Sequence, residues 1–265
     1  VDPPFLNGIM EFDGNANGNM RMLPRSGGGC GCVVSVTNGA VTVTGVCSND
    51  TCVHEGSYVY EGYREKMVNW MKETRQLPHE KMSIKTFDGL TLYGKYYELT
   101  PGAPIELMFH GYRGNAERDL SGGVARCFAL KRSVLITDQR SCGESTGRTI
   151  TFGIHEHLDC LRWVDFAVQR FGPDCKIILT GISMGASTVL MAAGKPLPKN
   201  VIGVLADCGF TSAREIMAQV IGQMGLPSAL VYPFVKLGAR IFGHFDLEET
   251  SPREAMKKCT VPVIF

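Results

Sequence analysis

Residues 176–195, KIILTGISMGASTVLMAAGK, contain the pattern that decides the fold. The run Ile177 to Leu179 predicts a buried strand, and the small residues from about Ala186 to Ala193 predict a helix. Between them lies G-x-S-x-G, Gly181 to Gly185, at the strand-to-helix junction that this motif requires. Both glycines are explained by the tightness of such a turn, which leaves little room for side chains two positions from the serine.

We therefore interpret Ser183 as a nucleophile. Its hydroxyl stands clear of the predicted sheet, at the N-terminal end of the following helix. There the unpaired N–H groups and the helix dipole favour the negative charge of an acyl-transfer intermediate. The alternative is a glycine-bearing turn with an incidental serine, and the flanking strand and helix favour the nucleophile.

Composition narrows the class of protein. A chain of 265 residues can form one large α/β domain and a small appendage. Hydrophobic content of 44% and charged content of 20% are ordinary for a soluble globular protein. The net charge of +1, with no basic block, argues against a nucleic-acid partner or an anionic membrane surface. No run of 18 apolar residues occurs, so we expect no membrane span.

The ten cysteines suggest a reducing compartment. Six are scattered singly through the α/β portion, mostly beside apolar residues, which is typical of small buried thiols rather than of a disulfide framework. We therefore expect a cytoplasmic location. These six are Cys127, Cys142, Cys160, Cys175, Cys208 and Cys259.

Residues 1–56 differ from the rest, because Gly, Asn, Pro and Asp dominate much of them and predict a largely irregular segment. One part, VVSVTNGAVTVTG, predicts a β-hairpin that turns at Asn38-Gly39 and places Val34 and Val36 on one face with Val41 and Val43. Cysteines flank it with spacing that does not match the usual zinc pattern, so we expect no metal. The residues of this alternative zinc site are Cys30, Cys32, Cys47, Cys52 and His54.

From residue 57 the pattern becomes regular. Apolar spacing predicts a helix from Tyr58 to Leu77, and Asp88-Gly89 joins two strands expected to pair antiparallel. Strands and helices then alternate, which predicts a mostly parallel sheet with right-handed crossovers. The expected strands are 82–87, 90–99, 105–109, 133–137, 177–179, 201–206 and 261–265, and the expected later helices are 116–130, 154–171, 186–193 and 252–258.

Between about residues 210 and 250 the alternation stops. An apolar stretch interrupted by Pro227 and Pro233 predicts one to three short helices. We interpret them as a small helical lid with an apolar underside. An equally good alternative is that these helices simply pack on the core.

Five segments in this order resemble the α/β-hydrolase superfamily: MFHGYRGN (108–115), TDQRSCGESTG (137–147), GISMGAS (181–187), ADCGFTS (206–212) and KCTVPVIF (258–265). The resemblance covers roughly residues 57–265. It is closest to bacterial serine hydrolases of the serine aminopeptidase and prolyl oligopeptidase-like branches. It implies an α/β-hydrolase fold, a mostly parallel sheet flanked by helices with a small lid. Residues 1–56 match nothing expected of this superfamily.

The resemblance also implies roles for single residues. Ser183 would attack a carbonyl carbon, and the backbone N–H groups of Met184 and Tyr112 would hold the oxyanion. The residues around these groups would support them: Gly181, Gly185, His110, Gly111 and Asp207. A further loop, with Asp138, Arg140, Gly143 and Ser145, would have a structural role at the same edge of the sheet.

One departure from the family affects the mechanism. The family's acid follows the strand that corresponds to Val261–Phe265, and its histidine follows one more strand. We therefore expect the last strand and helix to be missing, both residues to come after Phe265, and this chain alone to turn over little substrate. Asp207 is a weak alternative acid. The histidines at 110, 155, 157 and 244 are weaker alternatives as base, since none lies where that last strand would deliver one.

The expected function is a serine hydrolase that cleaves small-molecule carboxylic esters through an acyl-enzyme on Ser183, without a cofactor. An aminopeptidase-like enzyme acting on amides is one alternative, and a non-catalytic scaffold of the same fold is another. Acyl transfer to an alcohol uses the same site and also stays open. The sequence leaves the natural substrate and the oligomeric state open.

Overall fold

A computed structural model describes residues 33–37, 40–44 and 58–265 of the chain. Strands β1 (Val33–Thr37) and β2 (Ala40–Thr44) pair antiparallel, with Val34 opposite Val43 and Val36 opposite Val41. This is the pairing that the alternating valines predict. The turn at 38–39 and the alternative zinc ligands lie outside the described residues.

The described residues fall into two compact units, one ending at Lys72 and the other running from Glu73 to Phe265. Helix α1 (Tyr58–Gln76) agrees with the expected helix and contributes residues to both units. The division near residue 57 and the irregular character of the N-terminal segment stay predictions.

The larger unit contains a seven-stranded sheet in the order β3-β4-β6-β5-β7-β8-β9. Strands β3 and β4 form an antiparallel hairpin, β4 is also antiparallel to β6, and the remaining neighbours are parallel. The mostly parallel sheet is therefore confirmed. Its strands are β3 (Glu80–Lys85), β4 (Thr91–Tyr97), β5 (Ile105–Phe109), β6 (Ser133–Thr137), β7 (Ile177–Ile182), β8 (Val201–Asp207) and β9 (Val263–Ile264).

Helices connect the parallel strands and cover the sheet. Every residue of β5 and of β6 is buried, as the centre of such a sheet requires. Every residue of the helix after β7 is buried too, so this helix lies within the core. The helices are α2 (Ala116–Ala129), α3 (Glu156–Phe171), α4 (Met184–Ala193), α5 (Ala213–Gln223), α6 (Ser228–Phe242) and α7 (Pro252–Met256).

Side-chain caps fix where several helices begin. The side chain of Asn115 accepts a hydrogen bond from the backbone N–H of Arg118 at the start of α2. Ser212 and Ser251 cap α5 and α7 in the same way. Each cap satisfies a backbone donor that has no partner inside its helix, and so sets the point at which the chain leaves the sheet edge.

A buried carboxylate lies in the middle of the sheet. Glu106 of β5 is fully buried and forms ion pairs with Arg126 and Arg132, and it accepts a hydrogen bond from Thr180 Oγ1 of β7 at 2.8 Å. Burial would raise the pKa of Glu106, but the charge of Arg126 and the hydrogen bonds from Arg132 and Thr180 outweigh it and hold the pKa below its usual range. The carboxylate is therefore ionised and joins β5 to β7.

Two helices, α5 and α6, occupy the region expected to form a lid. Their number agrees with the one to three helices expected, but Pro233 lies inside α6 rather than between two helices. Pro233 cannot make the hydrogen bond that an N–H at this position would make, and Tyr232 beside it is packed in a buried cluster. The underside of α6 is apolar as expected, and α6 also has an apolar outer face. A lid that opens and closes stays a prediction.

Within residues 65–265 the six cysteines of the α/β portion form no disulfide bonds. Cys127, Cys142 and Cys160 are buried as expected, whereas Cys208 is exposed because it follows β8 in a loop at the sheet edge. In the described part of the chain, no helix is both long and apolar enough to cross a bilayer.

Candidate active site

Ser183 lies in a strained turn between β7 and α4. Its φ is 55° and its ψ is −116°, a backbone conformation that costs energy for any residue with a side chain. The backbone N–H of Ser183 donates to the Asp207 carbonyl oxygen at 2.8 Å, which holds the turn against the end of β8. The half-buried side chain does not cap α4, so its hydroxyl is left for other contacts.

The two glycines of the motif are required by close backbone contacts. A Cβ at Gly181 would lie 2.1 Å from the carbonyl oxygen of Gly185, and a Cβ at Gly185 would lie 2.2 Å from the carbonyl oxygen of Phe109. Neither clash can be relieved by moving a side chain, since both involve backbone atoms. The serine turn can therefore form only with glycine at these positions.

The loop after β5 runs alongside Ser183. A Cβ at Gly111 would lie 3.4 Å from Ser183 Cβ and 3.9 Å from Ser183 Oγ. Tyr112 follows directly, and Met184 is the first residue of α4, where a backbone N–H has no partner within its helix. In residues 58–265 neither the Tyr112 nor the Met184 N–H is used in a backbone hydrogen bond. The structure thus brings together the two segments that carry the predicted oxyanion donors.

His110 shapes this loop from inside the protein. It is fully buried, its Nδ1 donates to the Gly111 carbonyl oxygen at 2.7 Å, and its Nε2 accepts from the Gln139 backbone N–H at 3.0 Å. Burial lowers the pKa of His110, which agrees with a neutral ring that donates through one nitrogen and accepts through the other. Both ring nitrogens are occupied, so His110 supports the loop rather than serving Ser183 as a base.

Gln139 is a site residue that the sequence analysis did not identify. Its side-chain Nε2 donates to the His110 carbonyl oxygen at 2.6 Å. Thr188 Oγ1 lies 3.2 Å from Gln139 Oε1 and 3.0 Å from the Met184 carbonyl oxygen, so its single proton serves one of these acceptors. These polar contacts connect the loop after β5 to the first turn of α4. No spacing in the sequence distinguishes position 139 from its neighbours.

The loop after β6 supports the same edge of the sheet. Asp138 accepts hydrogen bonds from the backbone N–H groups of Ala116 and Glu144 at 2.7 and 2.9 Å. Buried Arg140 makes two hydrogen bonds to Asp159 of α3, at 2.7 and 2.8 Å, and also pairs with Asp88 in the β3–β4 turn. These contacts agree with the structural role expected for the loop.

The weaker acid and base candidates do not meet at Ser183. Burial raises the pKa of Asp207, and it is the backbone of this residue that contacts Ser183. His155 Nδ1 lies 3.2 Å from Arg140, and His157 Nδ1 donates to Gly153. Within residues 65–265 no histidine ring forms a hydrogen bond with Ser183. The acid and the base of the mechanism thus stay predictions.

An aromatic pair borders the site. Tyr112 is half-exposed and stacks on Phe152, with ring centroids 5.4 Å apart. Phe152 also packs against the buried cluster that contains Met191 of α4 and Tyr232 of α6. An apolar wall therefore extends from the predicted oxyanion loop to the underside of α6, and Phe152 is a second residue of this region that the sequence analysis did not identify.

Comparison with known proteins agrees with this geometry. The family model described as alpha/beta hydrolase fold matches residues 107–233, which include the end of β5, Ser183 and the start of α6. The chain has the α/β-hydrolase fold, and over these residues it resembles the α/β-hydrolase superfamily. Solved structures of this fold include an esterase, Pf2001, from Pyrococcus furiosus, with a TM-score of 0.57 and 22% identity over 72% of this chain and 70% of that chain. An α/β hydrolase from Vibrio vulnificus has a TM-score of 0.52 and 21% identity, over 75% and 66% of the two chains.

Two curated relatives match shorter parts of the chain. The Bacillus subtilis (strain 168) protein YqkD, described as uncharacterized, is 31% identical over 134 residues, which are 50% of this chain and 44% of YqkD. The acyltransferase drtE of Aspergillus calidoustus is 29% identical over 173 residues, 57% of this chain and 55% of drtE. The chain spans about half the length of the curated relatives it matches. The branch of the superfamily and the missing last strand stay predictions.

Proposed function

We propose that this protein is a serine hydrolase of the α/β-hydrolase superfamily, which cleaves small-molecule carboxylic esters through an acyl-enzyme on Ser183. The observation that carries the proposal is the conformation of Ser183, a serine at φ 55° between two obligatory glycines, with Gly111 against its side chain. Strain of this kind persists only where surrounding structure enforces it, and it is typical of functional positions.

The proposed chemistry begins with attack of Ser183 Oγ on the ester carbonyl carbon. A carbon–oxygen bond forms, and the carbonyl electron pair moves to the oxygen, where the N–H groups of Met184 and Tyr112 stabilise it. Loss of one such donor costs on the order of 3 kcal/mol of transition-state stabilisation in serine hydrolases. The tetrahedral intermediate then releases the alcohol, which takes a proton, and water cleaves the acyl-enzyme. The predicted acid and histidine after Phe265 would move the protons.

The walls of the site support an uncharged substrate. Tyr112 and Phe152 present apolar ring surface beside the loop that follows β5. The guanidinium of Arg113 lies over the Tyr112 ring, 5.8 Å from its centroid. Within the described residues it is the one cationic group in contact with either ring of this pair. Such a surface fits a small or medium apolar acyl or alcohol group.

Acyl transfer to an alcohol is the second candidate, and the relative named as an acyltransferase favours it. Both reactions pass through the same acyl-enzyme and differ only in whether water or an alcohol attacks it. The fraction of acyl groups captured by added alcohol therefore separates them. Transfer that exceeds hydrolysis at millimolar alcohol would favour the acyltransferase.

The decisive experiment measures hydrolysis of 4-nitrophenyl butyrate by the protein as its gene encodes it. We expect Ser183→Ala to lower kcat by at least about 10³-fold, and the control Ser83→Ala, at an exposed position of β3, to leave kcat unchanged. A fluorophosphonate should add to Ser183 in the wild type alone. Equal rates for wild type and Ser183→Ala, together with no adduct at Ser183, would favour a non-catalytic scaffold. Cleavage of aminoacyl anilides in preference to esters would favour the peptidase.

A further inference from the structure

The outer face of α6 presents a row of large apolar side chains. Leu230, Phe234, Leu237 and Ile241 are 68%, 75%, 52% and 54% exposed, and we call these four residues the α6 ridge. The opposite side of the helix buries Tyr232 and packs Val231 and Val235 on the core. The apolar residues of α6 therefore form two faces, of which one has no partner within residues 65–265.

The spacing of the α6 ridge indicates what it fits. Its members are separated by four, three and four residues, which is the spacing of the a and d positions in a heptad. A narrow seam of this kind packs its side chains into the spaces between residues of a second helix. Helices that lie on a lipid surface instead combine a wide apolar face with an unpaired cationic face. The spacing thus favours a helix as the partner.

The area of the patch agrees with a protein interface. Three more exposed apolar residues lie close to the ridge in sequence, namely Met224, Leu226 and Phe242. At about 150–200 Å² for a fully exposed large side chain, the four ridge residues present roughly 400–500 Å² of apolar surface, and all seven residues together roughly 800 Å². The largest apolar patch of a typical monomer is about 300–600 Å², whereas each partner in a stable complex contributes about 800 Å².

Charges beside the ridge are already neutralised. Lys236 and Arg240 are the only charged residues of α6. Lys236 pairs with Asp246 and Glu248, and Arg240 pairs with Asp246, all within one chain. Between them lies Gly238, where an added Cβ would meet no atom within 4 Å. A second helix can therefore approach this face without meeting unpaired charge or a bulky side chain.

We propose that the α6 ridge is the contact between two copies of this chain, related by a two-fold axis with their α6 helices antiparallel. A two-fold contact must be self-complementary, and a ridge of four knobs that carries no net charge meets this condition. The axis crosses between Phe234 and Leu237. Phe234 of one copy then faces Leu237 of the other, and Leu230 faces Ile241.

The first test measures the molecular mass of the protein, as its gene encodes it, by sedimentation between about 1 and 100 μM. We expect a dimer, and we expect Leu237→Glu to raise its dissociation constant at least about 100-fold, because the charge would be buried in the contact. The matched control is Leu130→Glu, since Leu130 is similarly exposed at the end of α2. Thermal unfolding shows whether each variant keeps its fold.

The second test identifies the arrangement. Phe234→Glu and Leu237→Lys should each be monomeric alone, and an equimolar mixture should form a heterodimer, because residue 234 of one copy faces residue 237 of the other. A wild type that stays monomeric at the highest concentration overturns the proposal. If that monomer also binds phosphatidylcholine vesicles, and Leu237→Glu abolishes this binding, the ridge contacts lipid instead of a second copy. A dimer that Leu237→Glu leaves intact places the contact elsewhere and overturns it too.

Discussion

Replacing Gln139 with methionine tests whether the polar contacts behind the site hold it in place. Methionine fills nearly the same volume, so the change removes hydrogen bonds while leaving packing almost unaltered. It removes the bond to the His110 carbonyl oxygen and the contact with Thr188 Oγ1. Each bond contributes about 1 kcal/mol, and a buried carbonyl oxygen without a donor costs about 1–3 kcal/mol. We therefore expect the free energy of unfolding to fall by about 2–4 kcal/mol.

Two measurements separate this role from simple stabilisation. Urea unfolding gives the loss of stability, and the cycle of Gln139→Met with Thr188→Val should give a coupling energy of about 0.5–1 kcal/mol. In the protein as its gene encodes it, we expect kcat for ester hydrolysis to fall about 10-fold or more with little change in KM, since the loop that carries Tyr112 is displaced. A loss of stability below about 0.5 kcal/mol, or an unchanged kcat in a folded variant, would refute the reasoning.

Three further predictions follow from single positions. Gly185→Ala should lower the free energy of unfolding by more than about 4 kcal/mol, because its Cβ would clash with the Phe109 carbonyl oxygen. The control Gly222→Ala in α5, which has open space around it, should raise the free energy of unfolding by about 0.5–1 kcal/mol, and thermal unfolding measures both changes. Ser183→Gly should raise the free energy of unfolding by about 1 kcal/mol by relieving the positive φ, and should abolish hydrolysis; equal or lower stability would contradict the strain. Because folding lowers the pKa of Glu106, its carboxylate contributes stability that is present above the unfolded pKa of 4.5 and is lost as pH falls through the folded pKa. Glu106→Gln should therefore weaken the pH dependence of the free energy of unfolding in acid. It should also lower that free energy by about 1–3 kcal/mol at neutral pH.

The strands and the serine turn could be predicted because their signals are local. Residues 105–109 and 133–137 are strands with the expected bounds, since each is a short run rich in apolar residues between polar or chain-breaking ones. The turn at Ser183 is specified by the glycines two positions either side of it. Helix α4 begins at Met184, two residues earlier than expected, because the helix starts directly at the strained serine.

What the sequence did not reveal depends on contacts between distant positions. The Gln139 side chain meets residues 29 and 49 positions away, and no local pattern encodes either contact. At Pro233 the general rule that proline ends a helix gave way to packing of the neighbouring Tyr232. Apolar residues cover two faces of α6, and hydrophobicity alone does not say which of the two is buried.

The Glu106–Thr180 bond has a consequence for exchanging loops between proteins of this fold. A shift of β7 by two residues along β5 would keep every side chain on its own face of the sheet. The pattern of buried apolar residues therefore does not exclude such a shift. It would also leave the carboxylate without Thr180. The hydrogen bond thus selects the alignment in which Phe109 lies beside Gly181. In this alignment β5 and β7 end at the same height along the sheet. A transplanted 110–115 segment should meet the serine at the correct height only in a recipient that keeps this acid–hydroxyl pair.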